Sequence, residues 1–75
     1  MEGSTLIRKP ARSSNLDEIG YDHDVNLLEI RFKNGGVYQY SGVPVSIYKE
    51  LMSAPSEGSY FHHCIRDKYP CIKVR

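Results

Sequence analysis

Seven consecutive residues, Leu27-Leu28-Glu29-Ile30-Arg31-Phe32-Lys33, set Leu28, Ile30 and Phe32 against Glu29, Arg31 and Lys33 in alternation. A period of two is the pattern of a strand with one face buried and the other in water. The alternation is cut by Asn34-Gly35-Gly36, whose glycines take up positive φ angles with little steric penalty, and is followed by the second strand-like run Val37-Tyr38-Gln39-Tyr40. The chain is thereby committed to a β-hairpin. Whatever else it builds has to cover the apolar face of that hairpin.

Loop length decides where the two tyrosines go, because shifting an antiparallel strand by one residue turns all its side chains to the other face. A two-residue loop, Asn34-Gly35, sets Tyr38 opposite Arg31 and Tyr40 opposite Glu29, on the charged face. Rings beside Arg31 and Lys33 would then stack splayed bases while the cations meet phosphates, as in sheet-based RNA readers. A three-residue loop, Asn34-Gly35-Gly36, sets Tyr38 opposite Phe32 and Tyr40 opposite Ile30, within the core. Both registers are open to the sequence. The second gives one coherent apolar face and is the favoured expectation, with each hydroxyl held at the edge, near water or a partner.

Upstream, Leu16, Ile19 and Tyr21 fit a short strand with an irregular start, and residues 22–26 are turn-rich. Downstream, Pro44 pre-sets φ for a helix that places Ile47, Tyr48, Leu51 and Met52 on one face, and Pro55 stops it. A second helix is expected to begin between Ser56 and Ser59, where serine oxygens can cap free amides, and to run to about Asp67 with Phe61, Cys64 and Ile65 inward. Residues 71–75 alternate apolar and basic, as an edge strand or an extended tail does. The expected architecture is α+β: a small antiparallel three-stranded meander followed by two short helices packed on one face. Residues 1–12 read as a mobile N-terminal arm and residues 13–75 as a single domain, since 75 residues suffice for one modest core.

These elements resemble the KTSC domain family, small domains found at the C-terminus of some lysyl-tRNA synthetases and as free-standing bacterial proteins. The resemblance runs from about Ser13 to Arg66. It rests on Ser14-Asn15, Gly20-Tyr21-Asp22, the Leu28/Ile30/Phe32 strand, the Gly36-to-Tyr40 segment, Val43-Pro44, Tyr48, Leu51, Gly58-Ser59-Tyr60-Phe61 and Ile65-Arg66. An asparagine often follows the aromatic pair in that family where this chain has His62, so a role tied to that amide does not carry over. The resemblance implies little about activity beyond RNA contact, suggested by the fusion to a synthetase.

Charge is unevenly spread. Arg8, Lys9 and Arg12 against Glu2 make residues 1–12 net +2, and Arg66, Lys68, Lys73 and Arg75 against Asp67 make residues 66–75 net +3. Seven acids against Arg31, Lys33 and Lys49 leave the middle at −4. If the basic ends converge, they form one footprint for an anionic partner. The candidate nucleic-acid contacts are accordingly Tyr38, Tyr40, Arg31, Lys33, Arg66, Lys68, Lys73 and Arg75.

Competing chemistries are poorly supported. His23, His62, His63, Cys64 and Cys71 are zinc-ligand types, but no Cys-x-x-Cys or His-x-x-x-His spacing joins them. Cys64 and His63 are neighbours, which on a helix keeps their side chains apart. No phosphate-loop or dinucleotide motif is present, so no cofactor, catalytic residue or small-molecule substrate is expected. No apolar run reaches the roughly 20 residues of a membrane span, and no signal-like stretch opens the chain, so the expected location is the cytoplasm, with both cysteines as free thiols. A small non-catalytic, RNA-contacting module is the first expectation. A protein-binding or self-associating domain is the alternative, and an enzyme or zinc protein the remote one.

Overall fold

The computed structural model describes residues 8–11 and 13–74. Five strands form one antiparallel sheet in chain order: β1 (Arg8–Pro10), β2 (Leu16–Asp22), β3 (Leu27–Phe32), β4 (Val37–Tyr40) and β5 (Cys71–Lys73). Helices α1 (Val45–Ser53) and α2 (Glu57–Cys64) lie between β4 and β5 in sequence. The meander is therefore five strands wide, where the pattern predicted three with an edge strand or tail. β5 is the predicted edge strand. β1 falls in the segment read as an arm; a three-residue edge strand is too short to leave a periodicity to read. Of the rest of that segment, residues 1–7 and Arg12 lie outside the described residues.

β2 shows why its apolar residues are unevenly spaced. A bulge between Leu16 and Glu18 lets Leu16 pair with Phe32 while Ile19 pairs with Ile30 and Tyr21 with Leu28, so all three inward side chains share one face. That face is sealed by Val43, Leu51, Phe61 and Ile65, all buried. The Tyr21 ring stacks on Tyr48 of α1 with centroids 4.8 Å apart, and its hydroxyl donates to the Val43 carbonyl, tying the β2–β3 hairpin to the entry of α1.

Pro44 is the residue before the first turn of α1, and the extended backbone of Ala54 (ψ 143°), imposed by Pro55, ends it. Ser56 caps α2, its hydroxyl oxygen accepting from the Ser59 amide at 3.3 Å. The helix closes at Cys64, three residues short of the predicted end. The Ile65 and Arg66 amides both donate to the Phe61 carbonyl, and Asp67 adopts a left-handed φ of 65°, turning the chain back toward the sheet. The Ser41 amide then donates to the Pro70 carbonyl, and the Val74 amide to Val37, fixing β5 beside β4.

The central hairpin keeps the favoured face but not the expected partners. Tyr38 lies opposite Ile30 and Tyr40 opposite Leu28, two residues along from the predicted register. Three residues still form the loop, but they are Lys33, Asn34 and Gly35. Gly35 takes the left-handed position with φ 97°, its amide donates to Phe32, and Phe32 closes the loop on Gly36. Either glycine can occupy that position, so composition alone did not choose. The Asn34 side-chain oxygen, accepting from the Gly36 amide at 2.9 Å, favours the observed arrangement.

Candidate functional site

The sheet has one covered and one open face, and alternation sorts the predicted contacts between them. Arg31 is on the open face, where it reaches Asp17 at 3.7 Å and Glu18 at 4.0 Å. Arg8 spans the same row, 3.6 Å from Glu18 and 3.3 Å from Glu29, and Gln39 donates to Glu29 at 2.8 Å. Three carboxylates thus surround two guanidinium groups, which leaves no surplus positive charge here to attract a phosphate. Tyr38 and Tyr40 project from the other face, so the structure separates Arg31 from the rings that the two-residue-loop register placed beside it.

On the helix-bearing face a cleft of about 520 Å³ opens between the β3–β4–β5 end of the sheet and α2. Its floor is aromatic. Phe32 meets Tyr38 edge to face with centroids 5.5 Å apart, Phe61 packs on Phe32 at 5.6 Å, and Tyr40 on Phe61 at 5.4 Å. Tyr40 and Phe61 are buried, whereas Phe32 and Tyr38 are half-buried and keep ring surface toward the cleft. Burial pushes the Tyr40 hydroxyl up to about 12, aided by the neighbouring Cys71 and Tyr38 and opposed by Arg66, so it remains a neutral hydrogen-bonding group.

Lys33, Arg66 and His62 stand around that floor, with Asp67 as the one acid among its described lining residues. Lys33 reaches the cleft because it has left the strand for the loop, where its amide donates to the Asn15 carbonyl at 2.8 Å and draws the loop toward the start of β2. Arg66 lies one turn beyond His62. Its guanidinium donates to His62 Nδ1 at 3.2 Å. Lys73 walls an adjoining depression beside Asn34, Gly35, Gly36 and Tyr38. Lys68 is exposed in the turn after α2, and Arg75 lies outside the described residues.

Of the eight predicted contacts, Tyr38, Tyr40, Lys33 and Arg66 are therefore brought into one cleft, Lys73 borders it, and Arg31 is excluded from it. Among the described residues the two basic ends do not converge: β1 and β5 are opposite edges of the sheet, about 19 Å apart at roughly 4.8 Å per strand. His62 and Phe61 were not among the predicted contacts. The i, i+4 spacing of His62 and Arg66 on one helical face was the signal available for the histidine. Among the described residues, no three His, Cys, Asp or Glu side chains gather as a metal ion requires, Cys64 and Cys71 are free, and no helix is long and apolar enough to cross a membrane.

The KTSC domain pattern matches residues 12–69, most of the chain. This chain belongs to the KTSC domain family. Its fold agrees with the crystal structure of a KTSC domain protein from Yersinia pestis, with a TM-score of 0.91 and 42% identity, covering 95% of this chain and all of that one. An uncharacterised protein of Stutzerimonas stutzeri is 32% identical over 83% of this chain and 87% of its own length. A lysine–tRNA ligase of Trichormus variabilis is 39% identical over 75% of this chain, and the matching part is 10% of the ligase. The KTSC domain thus occurs both as a small protein and as a minor part of a synthetase. The α2 segment that walls the cleft, as well as the Tyr38–Tyr40 strand, lies inside the matched region.

Proposed function

We propose that this KTSC domain is a non-catalytic binding module whose cleft between the sheet and α2 takes single-stranded RNA. One juxtaposition supports the reading: half-buried Tyr38 and Phe32 share a cleft with Lys33 and Arg66, and only Asp67 opposes them in charge among the described lining residues. Every base has a π-face that an aromatic ring can stack on, and cations beside the ring meet the phosphates. The ion-paired open face has no comparable surplus. The reading is also supported by relatives named lysine–tRNA ligase, of which the matching part is 10% and 9% of the length.

Fluorescence anisotropy with labelled tRNA and with a random single strand, between about 50 and 200 mM salt, tests the reading. Affinity should fall steeply with salt. Lys33→Ala and Arg66→Ala should each lower the slope of log K against log salt by about 0.7, and Tyr38→Ala should weaken binding roughly tenfold through lost stacking. Arg31→Ala, on the opposite face, should leave both unchanged. Absent or salt-independent binding sinks the proposal.

A second reading rests on β5, all three of whose residues are exposed; Ile72 is 62% exposed and Val74, just beyond it, 44%. A terminal strand of this kind is an edge on which another chain can add a strand. Sedimentation at two concentrations, repeated with Ile72→Lys, reads whether a second copy does so.

A further inference from the structure

The cleft does not end at its own walls. It shares Asn34 and Tyr38 with the depression of about 380 Å³ bordered by Lys73, at the β3–β4 loop. In the other direction it shares Asn15, Gly58 and His62 with a depression of about 460 Å³ formed by Ser13, Ser56, Ser59 and His63 at the start of α2. Three adjoining hollows thus run as one groove from the β5 edge of the sheet, past the aromatic floor, to the first turn of α2. Each hollow has the volume of a small-molecule site, which is room for about one nucleotide apiece.

Chemistry changes along the groove. The β5 end offers Lys73 as a cation. The centre offers rings and the cations Lys33 and Arg66. The far end has no Lys or Arg among its described lining residues and offers hydroxyls instead. Ser13 Oγ accepts from the Asn15 and Leu16 amides at 3.1 and 3.2 Å, and Ser56 Oγ from Ser59, so each of these two hydroxyls keeps its own proton to donate. His63 Nδ1 donates to the Ser59 carbonyl at 2.9 Å, which leaves Nε2 outward. A compact ligand would use the centre alone. A linear, flexible anion with a planar group in its middle matches the whole sequence of groups.

Resting on the RNA reading of the cleft, we infer that the groove is a track for about three consecutive nucleotides of a single strand. The middle base stacks at Tyr38, the phosphates on the β5 side meet Lys73 and Lys33, and the sugar or phosphate at the far end is held by neutral hydrogen-bond donors. Among the described residues, charge contacts are thereby confined to two of the three positions.

The test is a length series of 5′-labelled uridylate oligomers of one, two, three, four and eight nucleotides, bound to the intact chain. Affinity should rise at least about tenfold from one to three nucleotides and change less than about threefold beyond four, while the salt slope stops growing before the affinity does. Ser59→Glu puts a negative charge at the far end, at the third helical position where glutamate suits a serine-capped helix, so the fold is retained. It should abolish the gain from the third nucleotide; a thermal melt checks the fold. Affinity already at its plateau with one nucleotide, or a third-nucleotide gain unaffected by Ser59→Glu, overturns the track while leaving the cleft reading standing. No binding at any length overturns both.

Discussion

Gly58 shows how much a single hydrogen can decide. A β-carbon built there would lie 2.7 Å from Ser13 Oγ, the oxygen that holds the Asn15 and Leu16 amides and so shapes the entry to β2. Alanine is the better helix former by up to about 1 kcal/mol, yet in this setting it must push aside a hydroxyl whose two hydrogen bonds are each worth roughly 1 kcal/mol. Gly58→Ala is therefore expected to destabilise the fold by about 1 kcal/mol. In a Ser13→Ala background the obstructing oxygen is gone, and the same change should be neutral or stabilising. Urea unfolding of the four proteins of this cycle reads the sign, and equal effects of Gly58→Ala in both backgrounds would refute the contact as the cause. Propensity assigned Gly58 no role. The close approach exists only because the segment that enters β2 passes over the start of α2.

Hairpin and helix ends are decided at the next scale, by which of several competent residues takes a position. In the β3–β4 loop Gly35 holds φ at 97°, a conformation that L side chains rarely adopt, although the space around it is open. Gly35→Ala should lower stability by roughly 1–2 kcal/mol through backbone strain alone, whereas Gly36→Ala should have a smaller effect. Comparable losses at both positions, measured by chemical denaturation, would argue for the alternative loop at residues 34–36. The alternation of β3 made the hairpin and its inward face legible, and the three-residue loop kept the parity of Tyr38 and Tyr40. Their partners were not legible, since sliding the loop by one residue preserves every inward side chain. The bulge in β2 was visible only as an uneven spacing of Leu16, Ile19 and Tyr21. β1 was not visible, because three residues paired through their backbones carry no pattern.

Taken as a whole, the molecule shields several tyrosine hydroxyls from water, while the ion pairs of Arg8 and Arg31 lie on the open face. Tyr21, Tyr40 and Tyr60 all have hydroxyls raised above the ordinary tyrosine value, in each case first by burial; Asp22 adds to this for Tyr21, and for Tyr60 the hydrogen bond it donates to Glu50 does. An unfolded tyrosine loses its proton near pH 10, while Tyr40 in the fold keeps it to about 12. The folded state thus binds more protons in that interval. The stability Tyr40 contributes in this way is fully present below about pH 10 and is lost as pH rises toward about 12. Melting temperature should fall across that window, and Tyr40→Phe should reduce the slope by about one proton's worth, roughly 1.4 kcal/mol per pH unit. An unchanged slope in the Tyr40→Phe protein would show that its hydroxyl is not protected by the fold.

The sequence by itself determined the α+β class, the central hairpin with its inward aromatic face, both helices and the KTSC resemblance. Each of these rests on a local period, a proline or a glycine, and local geometry needs no distant partner to be expressed. The tertiary structure alone decided the fate of the charges. Arg31 and Lys33 stand two residues apart and share a face in an ideal strand, yet one ends among carboxylates on the open face and the other at the cleft, because the chain turns between them. Arg66 shares a cleft with Tyr38 and Phe32 only because the end of α2 packs over that part of the sheet, and the left-handed turn at Asp67 then leads the chain on to β5. Long-range placement of this kind depends on how elements pack, and no residue pattern along the chain encodes it by itself.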